Sequence, residues 1–392
     1  MEGSVRKRGN IWYYRYYAYV DGEMKQIERR AGTSKKDALN KLNEELYREN
    51  NGIERPKEML LKNFLKMWLE EFVKIENSEN TYIKYKGTVN KYIDPYLGTL
   101  KLCDIKVLHL QRFMNKLKDT KIKNSTKYLS NTTIQKHFMV LNTALNKAVK
   151  LQMINDNPCK FIDIPKRNKF KANILTLDEF TLIYSKLDKN KYEDHLMMVA
   201  MAMTLELGLR RGEMCGLQWN DIDFNKNSIK IRNALIRVDK KYKISGLKTE
   251  SSYRELPVSS ELLKILKNHK TIQNKSKIKY GELYVNQNIL DADPVKYDFV
   301  FTTELGKYVI PSRFLQRLKR LCIYNSINKN IRWHDLRHTN ATVLLQTGVS
   351  MKVVQERLGH ALMQTTSDIY AHVTDEMNRN ATNVLSAVIY KK

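Results

Sequence analysis

This sequence predicts a multidomain chain, mainly α with α+β parts: a small β-sheet plus helix first, a helical middle, and a mixed α/β region over the last half. Three observations predict it. Residues 10–20 are dense in β-forming aromatics. Residues 59 to about 160 space their apolar side chains by three and four, the helical period. Beyond Thr176, apolar helical stretches alternate with short strand-like runs. At roughly 100–200 residues per domain, 392 residues make two or three domains. A hydrophobic content of 42% against 28% charged supports packed cores and excludes global disorder.

The first strand covers Asn10 to Val20, where Trp12, Tyr13, Tyr14, Tyr16, Tyr17 and Tyr19 cluster. Asp21-Gly22 is a hairpin signal and a second strand follows near 23–30. Ser34 can cap a helix through about 35–50. Strand alternation puts half of the tyrosines in the core and half outside. Outside, aromatics interleaved with Arg15, Arg29 and Arg30 suit a nucleic-acid groove. Gly52 and Pro56 mark a linker.

In the helical middle, Ile134, Phe138, Leu141, Leu145, Ala148 and Val149 form one stripe. Ser130 caps that helix, and Asn157-Pro158 stops the chain. Lys116, Lys118, Lys121, Lys123, Lys127 and Lys136 are opposed only by Asp119. A charge run is usually a solvated face; phosphate contact is favoured here because the rest of the chain points the same way. Lys166, Arg167 and Lys169 make the next linker basic. A new helical region opens near Thr176 and includes a buried helix around 193–206. Strands are expected near 228–238, 243–249 and 253–258, with helices filling most of the rest. No internal repeat, low-complexity tract or heptad run interrupts this order.

Lys plus Arg number 69 and Asp plus Glu 42, a net +27. The excess is +3 over 1–56, +9 over 57–165 and +15 over 166–392, so it is no basic tail. Several folded pieces are expected to touch one polyanion. The Lys, Asn, Ile and Tyr bias of an AT-rich genome explains Lys over Arg better than it explains +27. The longest apolar run, Leu196–Met203, is far short of the ~20 residues a membrane helix needs. The N-terminus lacks the apolar stretch of a signal peptide. Cys103, Cys159, Cys215 and Cys322 have no short spacing and read as free thiols in a reducing, cytoplasmic compartment. No phosphate-cradling Gly-rich loop and no clustered carboxylates of a two-metal nuclease occur, so neither ATP, a metal nor another cofactor is expected.

Four segments carry chemistry: Gly208-Leu209-Arg210-Arg211-Gly212-Glu213; Leu247-Lys248-Thr249 with Tyr253-Arg254-Glu255-Leu256-Pro257; His334-Asp335-Leu336-Arg337-His338; and Leu358-Gly359-His360, followed ten residues on by Tyr370. Together they resemble the tyrosine recombinase (phage integrase) family, whose signature is Arg, Lys, His-x-x-Arg, His and Tyr in that order. The match spans about 176–375. Six elements in order, with Leu-Gly-His and Tyr at family spacing, are far more specific than any one alone.

The resemblance implies that Arg210, Lys248, His334, Arg337, His360 and Tyr370 are catalytic, with Tyr370 the nucleophile. It implies Lys248 as proton donor to the leaving 5′ oxygen and His360 as a hydrogen-bond donor to the phosphate. It also implies domains at 1–55 (arm-type DNA binding, three strands plus a helix), 59–162 (SAM-like core binding), 163–175 (basic linker) and 176–392 (catalytic). Double-stranded DNA bearing core and arm sites would be the partner, bound by a homotetramer in the bacterial nucleoid, with no membrane. An excisionase and a host DNA-bending protein are candidate accessory partners.

The residues make physical sense on their own. Attack on a phosphodiester builds negative charge on its non-bridging oxygens, and two forked, always-charged guanidiniums can hold it. Arg210 and Arg337 fit. A tyrosine hydroxyl can carry a phosphate ester, but with a pKa of ~10 it needs help losing its proton. His334 or the arginine pair must supply that help. Glu213, one turn after Arg210, supports the site.

Competing readings remain for several residues. Arg211 beside Arg210 allows a register error, which the spacing to Glu213 resolves. His334 and His338 lie four apart, a zinc-compatible spacing, but Asp335 stands where a zinc protease needs Glu; His338 reads as structural support. Most of the 22 tyrosines are packing or surface residues, and position alone singles out Tyr370. Leu207 replaces the small hydroxyl residue that often precedes Gly208 in the family. The tail at 374–390 (Val384, Leu385, Val388, Ile389) is amphipathic and would dock on a neighbouring subunit or on its own domain.

The expected function is integration and excision of a mobile element, phage or conjugative transposon, through a 3′-phosphotyrosyl intermediate. A resolvase or type IB topoisomerase-like enzyme with the same chemistry is the alternative. A catalytically silent DNA-binding architectural protein is the alternative of another class.

Overall fold

The computed structural model describes residues 3–20, 23–50, 59–122, 124–166, 173–247, 249–290, 293–359 and 382. The chain divides into two compact units, residues 1–169 and 170–392. Among the described residues no helix is long and apolar enough to cross a membrane.

The first unit holds two separate apolar cores. The smaller lies under an antiparallel sheet of β1 (Gly3–Arg8), β2 (Ile11–Val20) and β3 (Glu23–Gly32), in sequence order. A helix, Lys35–Asn50, packs on one face, its start capped by Ser34 Oγ accepting from the Asp37 amide at 3.4 Å. Alternation along β2 buries Tyr14, Tyr16 and Ala18 against Ala31, Ala38 and Leu42 and leaves Tyr17 exposed. The sheet turns out to have a first strand ahead of the aromatic run, made of Gly-Ser-Val-Arg-Lys-Arg.

Cross-strand partners share a face. Arg15 pairs with Glu28 on the face away from the helix, whereas Arg29 pairs with Tyr14 on the helix side. The two candidate DNA-contact arginines of this sheet therefore occupy opposite faces. On the outer face Glu28 accepts both Arg6 Nε (2.6 Å) and Arg6 Nη2 (2.8 Å). Arg8 Nη2 stands 3.4 Å and Arg15 Nε 3.6 Å from the same carboxylate.

The larger core is helical. Leu61–Trp68 runs through a π-turn, Leu69–Val73, into Lys74–Glu76; Glu79–Thr88 does the same through Val89–Ile93 into Asp94–Leu97. Val107–Lys118 and Asn131–Lys150 complete the bundle. Ile134, Phe138, Leu141, Leu145 and Ala148 are fully buried as one stripe, at ~1.5–3 kcal/mol for each large side chain. Val149 is half-buried at its edge. Ser130 caps the helix by accepting from the Thr133 amide. The helix stops at Lys150, earlier than Asn157-Pro158 suggests, because Gln152 turns to a left-handed φ of 56°. Asn157 instead caps a short 3-10 turn, Pro158–Phe161.

In the second unit, Thr176 and Glu179 form a capping box at the start of helix Leu177–Ser185. Helix Tyr192–Leu207 is the centre of the core, with Leu196, Met197, Val199, Ala200, Met201 and Met203 buried. The run 228–238 is not one strand. It breaks at Arg232, which reaches buried Asp221. The two halves join different sheets. β5 (Ser228–Ile231) lies between β4 (Ile222–Asp223) and β8 (Arg254–Pro257), while β6 (Asn233–Val238) pairs only with β7 (Lys241–Gly246). Asp239 and Lys240 both take positive φ (43° and 67°), as a tight hairpin turn requires. β7 ends at Gly246, short of the 249 that the sequence suggests. A hairpin the sequence reading missed, β9 (Asn288–Leu290) with β10 (Asp293–Tyr297), follows helix Ser260–Tyr280. Helices Pro311–Tyr324, Trp333–Gln346 and Met351–Leu358 follow, up to residue 359.

Candidate active site

Helix Tyr192–Leu207 ends at Gly208, whose φ is +63°. A Cβ there would lie 2.3 Å from Leu358 Cδ2 and 2.9 Å from Asn340 Oδ1, so only glycine allows this approach. The turn aims Arg210 at the end of helix Met351–Leu358. Arg210 Nη1 donates to Glu213 Oε1 at 2.6 Å, and its backbone amide donates to Glu213 Oε2 at 2.9 Å.

Glu213 is buried, its side chain 1% exposed. Arg254 on β8, 6% exposed, donates from Nη2 to Glu213 Oε2 at 2.9 Å. Burial raises the Glu213 pKa, but the charges of Arg254 and Arg210 and the bonds they donate outweigh it, and the carboxylate stays ionised.

Arg337, on helix Trp333–Gln346, is 1% exposed and salt-bridges no carboxylate among the described residues. Its Nη1 donates to the Gly208 carbonyl (2.6 Å) and its Nη2 to the Leu358 carbonyl (2.5 Å). Nε is buried and has no partner among the described residues. Burial and the neighbouring Arg210 charge lower its pKa, yet a guanidinium starts high enough to remain charged.

Helix Met351–Leu358 ends in a row of three carbonyls, each held by a different guanidinium. Arg254 Nε donates to Arg357 O (2.9 Å), Arg337 Nη2 to Leu358 O, and Arg210 Nη2 to Gly359 O (2.7 Å). A helix C-terminus has orphan carbonyls and partial negative charge, so cations gather there. The chain leaves this capped end through Gly359, at φ +64°, directly before position 360.

His334 lies at the mouth of the site, exposed on one side and crowded on the others. That crowding, with His338 and the positive charges of Arg337 and Arg210, pushes its pKa down, so the ring is neutral at pH 7 and can accept a proton. Solvent on the open side tempers the burial part; His338, Arg337 and Arg210 also push downward, against a smaller opposing pull from the Asp335 carboxylate. His338 meets it edge-on with ring centroids 4.8 Å apart. Asp335, buried, is held in an ion pair with Arg332.

The structure thus brings Arg210, Glu213, His334, Arg337 and His338 together. Lys248, His360 and Tyr370 lie outside the described residues, as do Lys123, Arg167, Lys169 and the tail residues Val384, Leu385, Val388 and Ile389. Leu247 and Thr249 flank position 248, and Thr249 Oγ1 lies 2.9 Å from Ser252 Oγ in the turn that leads to Arg254. Lys116, Lys118, Lys121, Lys127 and Lys166 are exposed in the first unit; Lys116 and Lys121 stand 5.9 and 5.7 Å over the rings of Tyr96 and Tyr128. The sequence reading did not single out Arg254. Its signal was strand alternation: Arg254 shares a face with buried Leu256 on β8, and a buried arginine needs an acceptor.

Residues 173–377 match the phage integrase family, and residues 60–118 match the N-terminal SAM-like domain of phage integrases. A tyrosine recombinase XerC-like protein of Caldanaerobacter subterraneus subsp. tengcongensis is 32% identical over 371 residues, 91% of this chain and 90% of that one. The Tn1549 transposon integrase, solved with circular intermediate DNA, shares the fold with a TM-score of 0.67 at 22% identity, covering 83% of this chain and 99% of that one. A lambda integrase dimer bound to a core site gives 0.55 at 17% identity, covering 93% of each. The chain belongs to the phage integrase family, the tyrosine recombinases.

Proposed function

We propose that this family member cuts and rejoins double-stranded DNA to integrate and excise a mobile element. The observation that carries the reading is the convergence of Arg210 and Arg337 on the carbonyls at the end of helix Met351–Leu358, with His334 close enough to feel both charges. Two fixed cations with unused donors suit a phosphate that gains charge as it is attacked. Water would not need to reorganise there, because both guanidiniums are already anchored on backbone and Glu213.

In the proposed reaction the Tyr370 oxygen attacks the scissile phosphorus. The P–O(Tyr) bond forms as the P–O5′ bond breaks. His334 takes the tyrosine proton, and Lys248 gives one to the 5′ oxygen. His360 donates to a phosphate oxygen; Glu213 and His338 hold Arg210 and His334 in place. A 5′-hydroxyl then reverses the step on a new strand. One phosphate ester replaces another, so the bond energy is conserved. The sheet of the first unit would read arm sites through Arg15 and its neighbours, and the exposed lysines would contact core-site phosphates. Two DNA sites on one chain raise affinity through effective concentration. The domain limits at 1–55, 59–162, 163–175 and 176–392, tetramer assembly on DNA, and an excisionase and a DNA-bending protein as accessory partners belong to the same proposal.

Covalent trapping tests it. The element's own ends, cloned in a supercoiled plasmid, are incubated with protein in EDTA and quenched with SDS. A protein–DNA adduct that disappears in Tyr370→Phe is the expected result. Cleavage that requires added metal and leaves no adduct would make the protein a nuclease. Binding with neither adduct nor cleavage would favour an architectural DNA-binding protein, and an adduct without tetramers on paired sites a topoisomerase-like enzyme.

A further inference from the structure

We propose that Arg254 is a positioning residue that locks three separate parts of the active site to one another through the three nitrogens of a single guanidinium. Nη2 holds Glu213 (2.9 Å), which in turn holds Arg210. Nη1 holds the carbonyl of Ser252 (2.9 Å), in the turn that follows Lys248. Nε holds the carbonyl of Arg357 (2.9 Å), three residues before His360. Each acceptor belongs to a segment that carries one of the proposed catalytic groups. The inference rests on the functional reading of Arg210, Lys248 and His360 above.

Arg254 does not itself face the phosphate. All three of its nitrogens already donate to protein acceptors, whereas Arg337 Nε has no partner among the described residues. Its neighbourhood is tight: a Cβ on Gly359 would come within 3.3 Å of its Nη1. The planar fork sets three acceptors at fixed angles, which a lysine ammonium on a flexible stem cannot do. Glu213 is faced by three cations, Arg254, Arg210 and the more distant Arg337. Removing Arg254 leaves the buried carboxylate less compensated, so it protonates at higher pH and releases Arg210.

The test uses the full chain on a nicked duplex carrying the element's own end, so that cleavage traps the adduct in a single turnover. Arg254→Met is expected to lower the cleavage rate at saturating DNA on the order of 10²-fold, the scale of a 1 Å misplacement, with DNA affinity within about threefold of wild type. Its rate should also fall with decreasing pH in a range where wild type has not yet declined; His334 titrates in both proteins and cancels. Arg254→Lys restores the charge but not the fork, so it should recover the pH profile and only part of the rate. Adding Arg254→Met to Glu213→Gln should cost more than Glu213→Gln alone but less than the two losses combined, because the two changes share only the Glu213 arm and the Ser252 and Arg357 arms go with Arg254.

An Arg254→Met protein with wild-type cleavage overturns the proposal. So does one whose loss follows its folded fraction or DNA affinity with an unchanged pH profile, and so do additive losses with Glu213→Gln. Should Arg254→Met not fold, Arg254→Lys carries the same test at smaller amplitude. A wild-type chain that forms no adduct overturns the functional reading itself, which separates that failure from a failure of Arg254 alone.

Discussion

Glu28 in the N-terminal sheet and Glu213 in the second unit each collect arginines, yet they sit in opposite environments. Glu28 is 27% exposed among Arg6, Arg8 and Arg15. Glu213 is 1% exposed between Arg210 and Arg254. The Arg6 hydrogen bond lowers the Glu28 pKa much as Arg254 and Arg210 lower that of Glu213. Water screens the first cluster, so its arginines can trade the carboxylate for another anion at little cost. Desolvation makes the second rigid, since either partner left alone would be a buried, uncompensated charge. The same residue types therefore make an adjustable, water-screened cluster in one place and a fixed, desolvated one in the other.

Glu213→Ala is the strongest test of that difference. It should lower the stability of the second unit by about 3–5 kcal/mol, the range for breaking a buried ion pair, and reduce DNA cleavage at least as much as Arg254→Met does. Glu28→Ala should melt with wild type. Thermal and urea unfolding of both variants check the pair. Equal melting temperatures would break the comparison.

Much of the second region was legible in the sequence because it is written in short motifs. Gly208 to Glu213 spells out a helix stop, an arginine and its carboxylate within six residues, and the structure keeps them that close. The stripe from Ile134 to Ala148 was legible for a simpler reason, helical period. What stayed hidden depends on partners far away in sequence. Arg232 breaks a continuous β-like run because Asp221 holds it, and no local propensity shows that. Arg254 finds Glu213 41 residues away and Arg357 103 residues away. The β9–β10 hairpin is three and five residues long with a Pro, too short for alternation to register. Gln152 ends a helix through a left-handed turn that glutamine does not advertise.

Acid separates the regions next. His269 is fully buried, with Nε2 2.9 Å from the Val300 carbonyl, and burial pushes its pKa down to about 4. A folded-state pKa below the unfolded value stabilises the protein fully above pH ~6.5, and that stabilisation is lost as pH falls toward 4. The loss should reach about 3 kcal/mol. Residues 3–50 contain no histidine and should show no such slope. His269→Phe should make the dependence shallower without abolishing it, since His195, His334 and His338 are also held below the ordinary value; Gln273 Nε2 still donates to Val300 O at 2.8 Å. Urea unfolding at pH 7 and pH 5 measures it; an unchanged slope in His269→Phe would place the acid sensitivity elsewhere.

Among the described residues the sheet has a core of six buried side chains, of which Leu42 is the only branched aliphatic. Leu42→Ala should cost roughly 2–3 kcal/mol. With so small a core, that should open the sheet to protease first, while cleavage of a core-site duplex stays near wild type. Limited proteolysis with mass spectrometry reads the order. Simultaneous digestion of both units would show that the sheet draws its stability from elsewhere.

The smallest effect is the most telling about the outer face of the sheet. Glu28→Gln keeps the shape and a hydrogen-bond acceptor but removes the one negative charge that Arg6, Arg8 and Arg15 share. Stability should not change. If these arginines face DNA, affinity for arm-type duplex should rise a few-fold at low salt, because phosphates no longer compete with the carboxylate. The slope of log affinity against log salt should steepen by about one, as one more cation becomes free to displace a counterion. Arg29→Gln, on the helix side of the sheet, should leave that slope nearly unchanged. Should Arg29→Gln flatten the slope and Glu28→Gln leave it alone, the DNA-facing side of the sheet is the opposite one, and the exposed carboxylate is then a surface ion pair with no part in recognition.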